Sequence, residues 1–216
     1  MAPMSRFVDP VVVLVLLANF YMLGSSRLKA IIHATAVQGV LLGTLTLLVH
    51  HELGLRPVAL AAGATLIKAV VIPWMLARAM RDVAIRQEVE PLVGYILSLV
   101  LGAIGTGLAI LFVGTLPLAP QHVGSLLIPA SLATVLTGFV LLTTRRKAIT
   151  QVAGYLVLEN GIFIMGLTLI EAIPFLVEVG VLLDLLVAIF VMGIIILQIH
   201  REFASLDTTR LSSLKE

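Results

Sequence analysis

Four ionisable residues lie within long apolar stretches of this sequence, namely Lys68, Glu159, Glu178 and Asp184. A charge in the hydrocarbon core of a membrane costs from about 2.5 to more than 10 kcal/mol, so each residue needs a charged partner, a water-filled path or a neutral protonation state. A buried carboxyl group beside a cation can change its protonation near neutral pH, as a proton relay requires. These residue types in apolar surroundings indicate proton or ion transfer at membrane depth.

Glu159 has the sequence context that suits this chemistry best. It lies near the middle of an apolar stretch, within the segment Gly154-Tyr155-Leu156-Val157-Leu158-Glu159-Asn160-Gly161. The amide of Asn160 can hydrogen-bond across helices, and Gly154 and Gly161 allow a neighbouring helix to approach closely. We predict that Glu159 lies on a proton path and that Asn160, Gly154 and Gly161 support helix packing. The alternative is a neutral carboxylic acid that only hydrogen-bonds a neighbouring helix.

Lys68 lies at the centre of its apolar stretch, too deep to reach water easily in either direction. We expect it to pair with a carboxylate and tune it, or to carry a proton itself. Asp184, near the middle of the last apolar stretch, is one candidate partner, and a facing subunit could supply another. Glu178 lies about one turn into the same stretch, where interfacial water can solvate it. Glu178 and Asp184 are six residues apart, about 600° around a helix, so they do not share a face.

Gln38 and His33 are weaker proton-path candidates in the second apolar stretch. Single polar residues in membrane bundles usually only hold helices together. Asn19 is a further polar residue of this kind, in the first stretch. For Gln38 and His33 the packing role and the relay role stay open.

Other kinds of reactive centre are missing from the sequence. It has no cysteine, which excludes iron–sulfur clusters and thiolate metal sites on this chain. His50 and His51 are adjacent, but a metal site would need a third ligand that the sequence does not identify. There is no phosphate-binding loop, dinucleotide fingerprint or nucleophile with its base. We therefore expect no cofactor, no metal and no covalent catalysis by this chain alone.

The composition requires that these residues be positioned by helices in lipid. The chain has 216 residues, of which 60% are hydrophobic and 12% charged, and its mean hydropathy is +1.14. A soluble domain has too little apolar interior for such a composition. A bilayer core of about 30 Å needs about 20 helical residues, and the apolar stretches fall at 8–25, 29–49, 57–79, 91–115, 122–142, 149–171 and 174–199. We predict an all-α, polytopic membrane helix bundle of about seven transmembrane helices, forming a single membrane domain over residues 1–216.

Lysine and arginine are distributed unequally between alternating loops. One side has only Arg6 and Arg56. The other side has eleven basic residues, which are Arg27, Lys29, Arg78, Arg81, Arg86, Arg145, Arg146, Lys147, Arg201, Arg210 and Lys215. Because positively charged loops stay in the cytoplasm, we predict an external N-terminus, a cytoplasmic C-terminus and a location in the inner (plasma) membrane. The basic residues thus reflect orientation and interface anchoring, and we expect no nucleic-acid partner.

A short segment recurs in the sequence. Arg27-Leu28-Lys29-Ala30-Ile31 and Arg145-Arg146-Lys147-Ala148-Ile149 agree at four of five positions, with an offset of 118 residues. This offset places stretch 29–49 on stretch 149–171 in the same orientation, as parallel repeats would. It also places Lys68 level with Asp184. The simpler interpretation is that basic residues recur at cytoplasmic helix starts, and both interpretations stay open.

Several of these segments resemble known membrane subunits. The Arg145-Arg146 pair, the Gly154-to-Asn160 segment and Leu197-Gln198-Ile199-His200-Arg201 are similar to subunit K of bacterial complex I and to the small subunit of multisubunit sodium/proton antiporters. Residues 144–216 would then be a helix pair with a cytoplasmic tail. The patterns Gly-Tyr-x-x-x-Glu-Asn-Gly and Val-Glu-x-Gly-x-x-x-Asp, and the region around Lys68, Pro73 and Arg78, make the whole chain more similar to hydrogenase-4 component E of nickel–iron hydrogenase complexes.

The positions of the acids depart from the complex I pattern. With Asn160 and Gln198 aligned, the two buried glutamates of that family would fall at Leu156 and Ala188, whereas the acids here are Glu159 and Asp184. A shift of three or four residues keeps the helix face and moves the charge by about one turn. We interpret this as a retained carboxylate pair at a different depth.

The resemblance implies a non-redox, non-catalytic membrane subunit of a hydrogenase- or complex-I-like respiratory assembly. Its partners would be antiporter-like subunits and subunits of the quinone or hydrogenase module, within the lipid bilayer. Its buried carboxylates would contribute to proton or sodium translocation coupled to electron transfer. One alternative is a structural membrane-arm subunit without an ion path. Another alternative is an autonomous small-solute transporter. Parallel repeats would favour it, but the sequence lacks a midplane binding site formed by a helix that glycine or proline interrupts.

Overall fold

The computed structural model describes residues 7–49, 58, 62–63, 65–82, 91–117, 124–168 and 193. These residues form six α-helices and a π-helical segment of five residues. In chain order they are α1 (Val8–Gly24), α2 (Leu28–Val49), the π segment (Ile67–Val71), α3 (Ile72–Asp82), α4 (Tyr95–Gly114), α5 (Leu127–Thr144) and α6 (Ala148–Thr168). The described part of the chain contains no β-strand, so the all-α prediction is confirmed for it.

Helices α2, α4, α5 and α6 are each long and apolar enough to cross a membrane. Helix α1 is also apolar but has 17 residues. These five helices begin and end within about five residues of five predicted spans, because the apolar stretches that define the spans are the parts that must hydrogen-bond internally in lipid. The predicted span 174–199, with Glu178 and Asp184, lies outside the described residues except for Gly193. The count of seven spans and the orientation therefore stay predictions.

The third predicted span, 57–79, differs from a simple helix. Its second half is the π segment, which continues into α3 and ends at Asp82 rather than at residue 79. A π turn contains one more residue than an α turn, and such turns are frequent at functional sites. Lys68 is the second residue of this segment.

Two helix hairpins are built in the same way. Three residues, 25–27, connect α1 to α2, and three residues, 145–147, connect α5 to α6. Each first helix ends at an extended residue, Ser25 with ψ 132° and Arg145 with ψ 141°. The helices of each pair are therefore antiparallel neighbours. The two copies of the recurring basic segment lie at these two turns.

Glycines allow α5 and α6 to pack with their backbones close together. A Cβ atom added at Gly154 would lie 2.7 Å from the backbone nitrogen of Leu142, and one at Gly161 would lie 2.6 Å from that of Val135. Gly138 on α5 is equally close to the backbone of Leu158. Small residues serve this purpose in membranes, where close packing replaces the hydrophobic effect between helices. The α5–α6 hairpin thus forms a rigid support for side chains on its inner face.

The other helices surround this hairpin. Helix α1 packs against α2, α4 and α5, and α2 packs against α6 and the π segment. The buried side chains of α1, α2, α5 and α6 are mainly aliphatic, as expected for a membrane bundle. Helix α4 lies at the edge and exposes much of its surface, including Ile96, Leu108 and Leu111. That surface is suited to contact with lipid or with another membrane subunit.

Candidate ion-transfer site

Lys68 and Glu159 form a buried ion pair between the π segment and α6. The Lys68 Nζ atom lies 2.7 Å from Oε1 of Glu159, and the two side chains are 6% and 4% exposed. The ammonium group also lies over the ring of Phe163, one turn further along α6, with 4.9 Å to the ring centroid. The carboxylate and the ring together stabilise a cation that would otherwise be costly at this depth.

The backbone of α2 allows the π segment to reach this position. A Cβ atom added at Gly39 would lie 3.0 Å from the backbone carbon of Lys68 and 3.0 Å from the backbone nitrogen of Ala69. Any larger residue at position 39 would push the π segment away from α2. Gly39 therefore sets the distance at which the Lys68 side chain passes α2 and meets α6.

A chain of hydrogen bonds continues from the ion pair through three buried amides. Lys68 Nζ donates to Oδ1 of Asn160 at 3.2 Å. Asn160 Nδ2 then donates to Oε1 of Gln38 at 3.1 Å, and Gln38 Nε2 donates to Oδ1 of Asn19 at 2.9 Å. We call this set the polar chain; its members are Lys68, Glu159, Asn160, Gln38, Asn19 and Thr134.

The polar chain ends on α5. Asn19 Nδ2 donates to Oγ1 of Thr134 at 2.9 Å, and that hydroxyl donates to the carbonyl oxygen of Ala130 at 2.7 Å. All donors therefore point in one direction, from the ammonium group of Lys68 towards the backbone of α5. The chain connects α1, α2, the π segment, α5 and α6, and each of its side chains is buried. A buried hydrogen-bonded network of this kind fixes the relative positions of the elements it joins.

The second carboxylate oxygen of Glu159 differs from the first. Within the described residues, the buried Oε2 atom accepts no hydrogen bond, whereas Oε1 is paired with Lys68. Buried polar atoms are normally satisfied, and the exceptions are often functional. Oε2 is the position at which this carboxylate can take up or release a proton without breaking the contact to Lys68.

The ion pair has two protonation states that keep the site electrically neutral. In one, Glu159 is a carboxylate and Lys68 an ammonium; in the other, a proton has moved along the 2.7 Å contact to leave a carboxylic acid and an amine. A proton that enters or leaves at Oε2 changes the net charge of the site by one unit. The amides and the hydroxyl of the polar chain do not titrate at physiological pH, so they orient the pair and do not store protons.

The structure brings together some of the residues predicted from the sequence and not others. Lys68, Glu159, Asn160 and Gln38 are in direct contact in the polar chain. The carboxylate that pairs with Lys68 is Glu159, on a span that the sequence did not link to it. Asp184 and Glu178 lie outside the described residues.

His33 lies apart from this site. Its ring is exposed on α2, and Nδ1 donates to the carbonyl oxygen of Lys29 at 2.6 Å. Its side chain contacts none of the members of the polar chain by a hydrogen bond. The described structure therefore gives His33 a local helix contact and no link to the ion pair.

Sequence reasoning missed Thr134 and gave Asn19 only a minor place. A signal for Thr134 exists in the sequence, because Ser131, Thr134 and Thr137 recur every three residues on α5, and all three are buried. Such a stripe of hydroxyl groups on one helix face predicts a polar contact inside the bundle.

Arg145 was expected to anchor the end of α5 at the interface, and the structure shows a buried side chain that is 1% exposed. Its Nη2 atom donates to the carbonyl oxygen of Leu23 at 2.7 Å and its Nη1 atom to that of Val93 at 3.4 Å. The guanidinium group also lies 4.7 Å from the centroid of the Tyr95 ring. Arg145 therefore ties the end of α1 and the start of α4 to the α5–α6 turn.

Metal coordination has no site in the described part of the chain, where no group of three or more His, Cys, Asp or Glu side chains occurs. The described residues thus form a set of apolar helices that surround a buried ion pair and a polar chain. The fold and this site define a helical membrane protein with an ionisable centre in its interior.

Comparison with known proteins narrows this class. The chain is 33% identical over 209 residues to the uncharacterized protein Rv0085 of Mycobacterium tuberculosis, which covers 93% of this chain and 92% of that protein. It belongs to the same family as that protein. It is also 28% identical over 158 residues to hydrogenase-4 component E of Escherichia coli and of Shigella flexneri, with 72% of each chain covered. The resemblance to hydrogenase-4 component E is thus confirmed as a distant similarity. No family model and no solved structure matches.

Proposed function

We propose that this protein is a non-redox membrane subunit of a hydrogenase- or complex-I-like assembly, and that the Lys68–Glu159 pair is part of its proton path. The distant similarity to hydrogenase-4 component E supports the assembly. The observation that carries the proton path is the ion pair itself, 2.7 Å long and buried among apolar helices. A charge pair that served packing alone could be replaced by apolar side chains at little or no cost in stability.

Each residue of the site has a separate role in this proposal. Glu159 takes up and releases the proton at Oε2, and Lys68 compensates the charge of its carboxylate. Asn160 holds the ammonium group beside Oε1, and Gln38, Asn19 and Thr134 hold Asn160. Asp184 and Glu178 are proposed to continue the path on the predicted span 174–199.

The surrounding assembly supplies what this chain lacks. Electron carriers would belong to hydrogenase-module or quinone-module subunits, since this chain has no cysteine and needs no cofactor for its own role. Antiporter-like subunits would continue the proton route on either side. We place the protein in the inner membrane as a multi-pass subunit with an external N-terminus.

A structural role is the second candidate, and one observation favours it. Of the six members of the polar chain, four are amides or hydroxyls that hold five elements together without titrating. In this case the ion pair would be one more stabilising contact between helices, and protons would pass through other subunits.

Glu159→Gln separates the two roles. Gln keeps the size of the side chain and can still accept a hydrogen bond from Lys68. The matched control is Asp9→Asn, which makes the same acid-to-amide change at an exposed residue of α1. In inverted membrane vesicles with the complete assembly, we expect Glu159→Gln to lose most proton translocation at near-normal abundance, and Asp9→Asn to retain it. Full proton translocation by Glu159→Gln would contradict the proton-path role and support the structural role.

The orientation has its own test. The chain has no cysteine, so single cysteines can be labelled without background. Arg146, in the α5–α6 turn, is exposed, whereas Glu171 lies outside the described residues. We expect an impermeant maleimide to label Glu171→Cys and not Arg146→Cys in intact cells; the reverse pattern would invert the orientation.

A further inference from the structure

A surface groove between α1 and α2 is separate from the polar chain. It has a volume of about 500 Å³ and is open to the outside of the bundle. Its floor contains Ala18, Ala30 and Ala34, whose short side chains leave room between the two helices. Larger apolar side chains, including Leu14 and Leu17, form the rim and are half exposed. In a membrane this surface meets hydrocarbon, so the groove is suited to an apolar chain.

The length of the groove limits what can occupy it. Along α2 the lining residues run from Ala30 to Leu41, a separation of eleven residues that corresponds to about 17 Å of helix. Half of a bilayer core is about 15 Å. With the α1–α2 turn at a membrane surface, as the predicted spans require, the groove extends from that surface to about the midplane. A lipid acyl chain matches this length because it occupies one leaflet, whereas a transmembrane helix of another subunit spans both leaflets.

Polar groups collect at the end of the groove next to the α1–α2 turn. Tyr21 and His33 line this end. Lys29 lies four residues before His33, on the same face of α2, and Arg27 lies in the turn; both basic residues are exposed. No carboxylate of the described residues forms an ion pair with Lys29 or Arg27. Two cations that form no ion pair with a described carboxylate, at the end of an apolar groove, complement a phosphate group whose acyl chain lies in the groove.

His33 has a defined orientation at this end. A carbonyl oxygen only accepts hydrogen bonds, so the Nδ1 atom of His33 must donate in its 2.6 Å contact with Lys29. Nε2 is then the ring nitrogen left for a ligand. The histidine that the sequence suggested for a proton path thus has the surroundings of a headgroup contact.

We propose that the groove binds one acyl chain of an anionic phospholipid, with its phosphate held by Lys29 and Arg27 beside Tyr21 and His33. The site is independent of the Lys68–Glu159 pair, which lies in the interior of the bundle. It gives the α1–α2 hairpin a ligand-binding role that the polar chain does not require.

Tryptophan fluorescence with brominated lipids tests this site on the full chain in vesicles. Trp74 is the single tryptophan, so Trp74→Phe provides a dark background. Tyr21→Trp then places a reporter in the groove, and Leu17→Trp replaces it if that variant folds poorly. The matched control is Ile96→Trp, an 81% exposed position at the start of α4. The first turns of α4 lie beside the end of α1, because Leu99 packs against Gly24, so both reporters sit at the same end of the bundle.

We expect brominated phosphatidylglycerol to bind at the groove reporter at least about five-fold more tightly than brominated phosphatidylcholine, and equally at Ile96→Trp. Lys29→Gln should lower the preference by about five-fold, whereas Arg78→Gln, an exposed arginine of α3, should not. Ala30→Leu should fill the groove and remove the preference, and Ala103→Leu on the exposed face of α4 should keep it.

Three results would overturn the proposal. Equal quenching by both lipids at the groove reporter would mean ordinary boundary lipid. Protection from both lipids would mean that a polypeptide segment covers the groove. Quenching by a quinone analogue, with no preference for phosphatidylglycerol, would assign the groove to a quinone.

Discussion

The α1–α2 and α5–α6 hairpins carry the same recurring segment at their turns but place its first arginine in different surroundings. Arg145 is buried and donates to the backbone of two other elements. Arg27 is exposed, and its backbone nitrogen contacts Ser25 of its own turn. With the offset of 118 residues, Glu159 in the interior of the bundle corresponds to Leu41, which lines the surface groove. The segment thus defines a turn in both hairpins, and the elements packed around each turn decide whether its first arginine is buried or exposed.

The largest difference between the two hairpins is expected at the ion pair that Glu159 of the α5–α6 hairpin forms with Lys68. Lys68→Met leaves the carboxylate of Glu159 buried without its cation, which costs about 3–5 kcal/mol when the charge persists. Lys29→Met makes the same change at an exposed lysine of α2 and should cost less than about 0.5 kcal/mol. The thermal stability of the purified protein, followed by size-exclusion chromatography after heating, measures both. Equal stability of the two variants would contradict the assignment of the pair as a buried contact.

The two turn arginines give the next largest difference. Arg145→Met removes charge-assisted hydrogen bonds to the carbonyl groups of Leu23 and Val93, at about 1.5–3 kcal/mol. Arg27→Met should be nearly neutral for stability. Limited proteolysis under mild denaturing conditions compares the two. If the arginines proved equally important, the turns would not differ as the structure describes, and if Arg145→Met assembled normally but stopped proton transfer, Arg145 would belong to the proton route.

Two corresponding glycines test the packing of the hairpins. A methyl group at Gly161 would meet the backbone of Val135, which cannot move aside, so we expect Gly161→Ala to cost about 1–3 kcal/mol. At Gly43, the position 118 residues earlier, the nearest atoms it would meet belong to the side chain of Thr65 rather than to a backbone. Gly43→Ala should therefore cost less than Gly161→Ala in denaturant titrations followed by circular dichroism. A larger loss for Gly43→Ala would reverse the order of rigidity.

The smallest effect is expected in the middle of the polar chain. Gln38→Leu removes two hydrogen bonds between helices, each worth about 0.6 kcal/mol on average and at most about 1.7. Gln38 does not titrate, so we expect Gln38→Leu to lower proton translocation only indirectly. The decrease should depend on how far the loss of these hydrogen bonds displaces Lys68 and Glu159. Abundance and translocation of Gln38→Leu, compared with Glu159→Gln, measure this. Complete loss of translocation at normal abundance would make Gln38 a conducting member of the path.

The sequence predicted the helices better than the site. Five apolar helices were predictable because lipid requires continuous apolar helices, and Lys68 and Glu159 stood out because a charge in an apolar stretch needs compensation. The pairing of Lys68 with Glu159 was not predictable, because it depends on the distance between the π segment and α2. No residue pattern in the sequence predicts a π turn. The burial of Arg145 was not predictable for a related reason. The carbonyl groups that bury it, at Leu23 and Val93, come from elements far away in sequence.

The double variant Lys68→Met with Glu159→Gln tests the central claim most directly. It removes both charges while keeping the volume of the side chains, so it should recover most of the stability that Lys68→Met alone loses. If the pair carries protons, the complete assembly with this variant should reach normal abundance and still fail to translocate protons in inverted vesicles. Normal abundance with full translocation would contradict the account and leave the pair a structural contact.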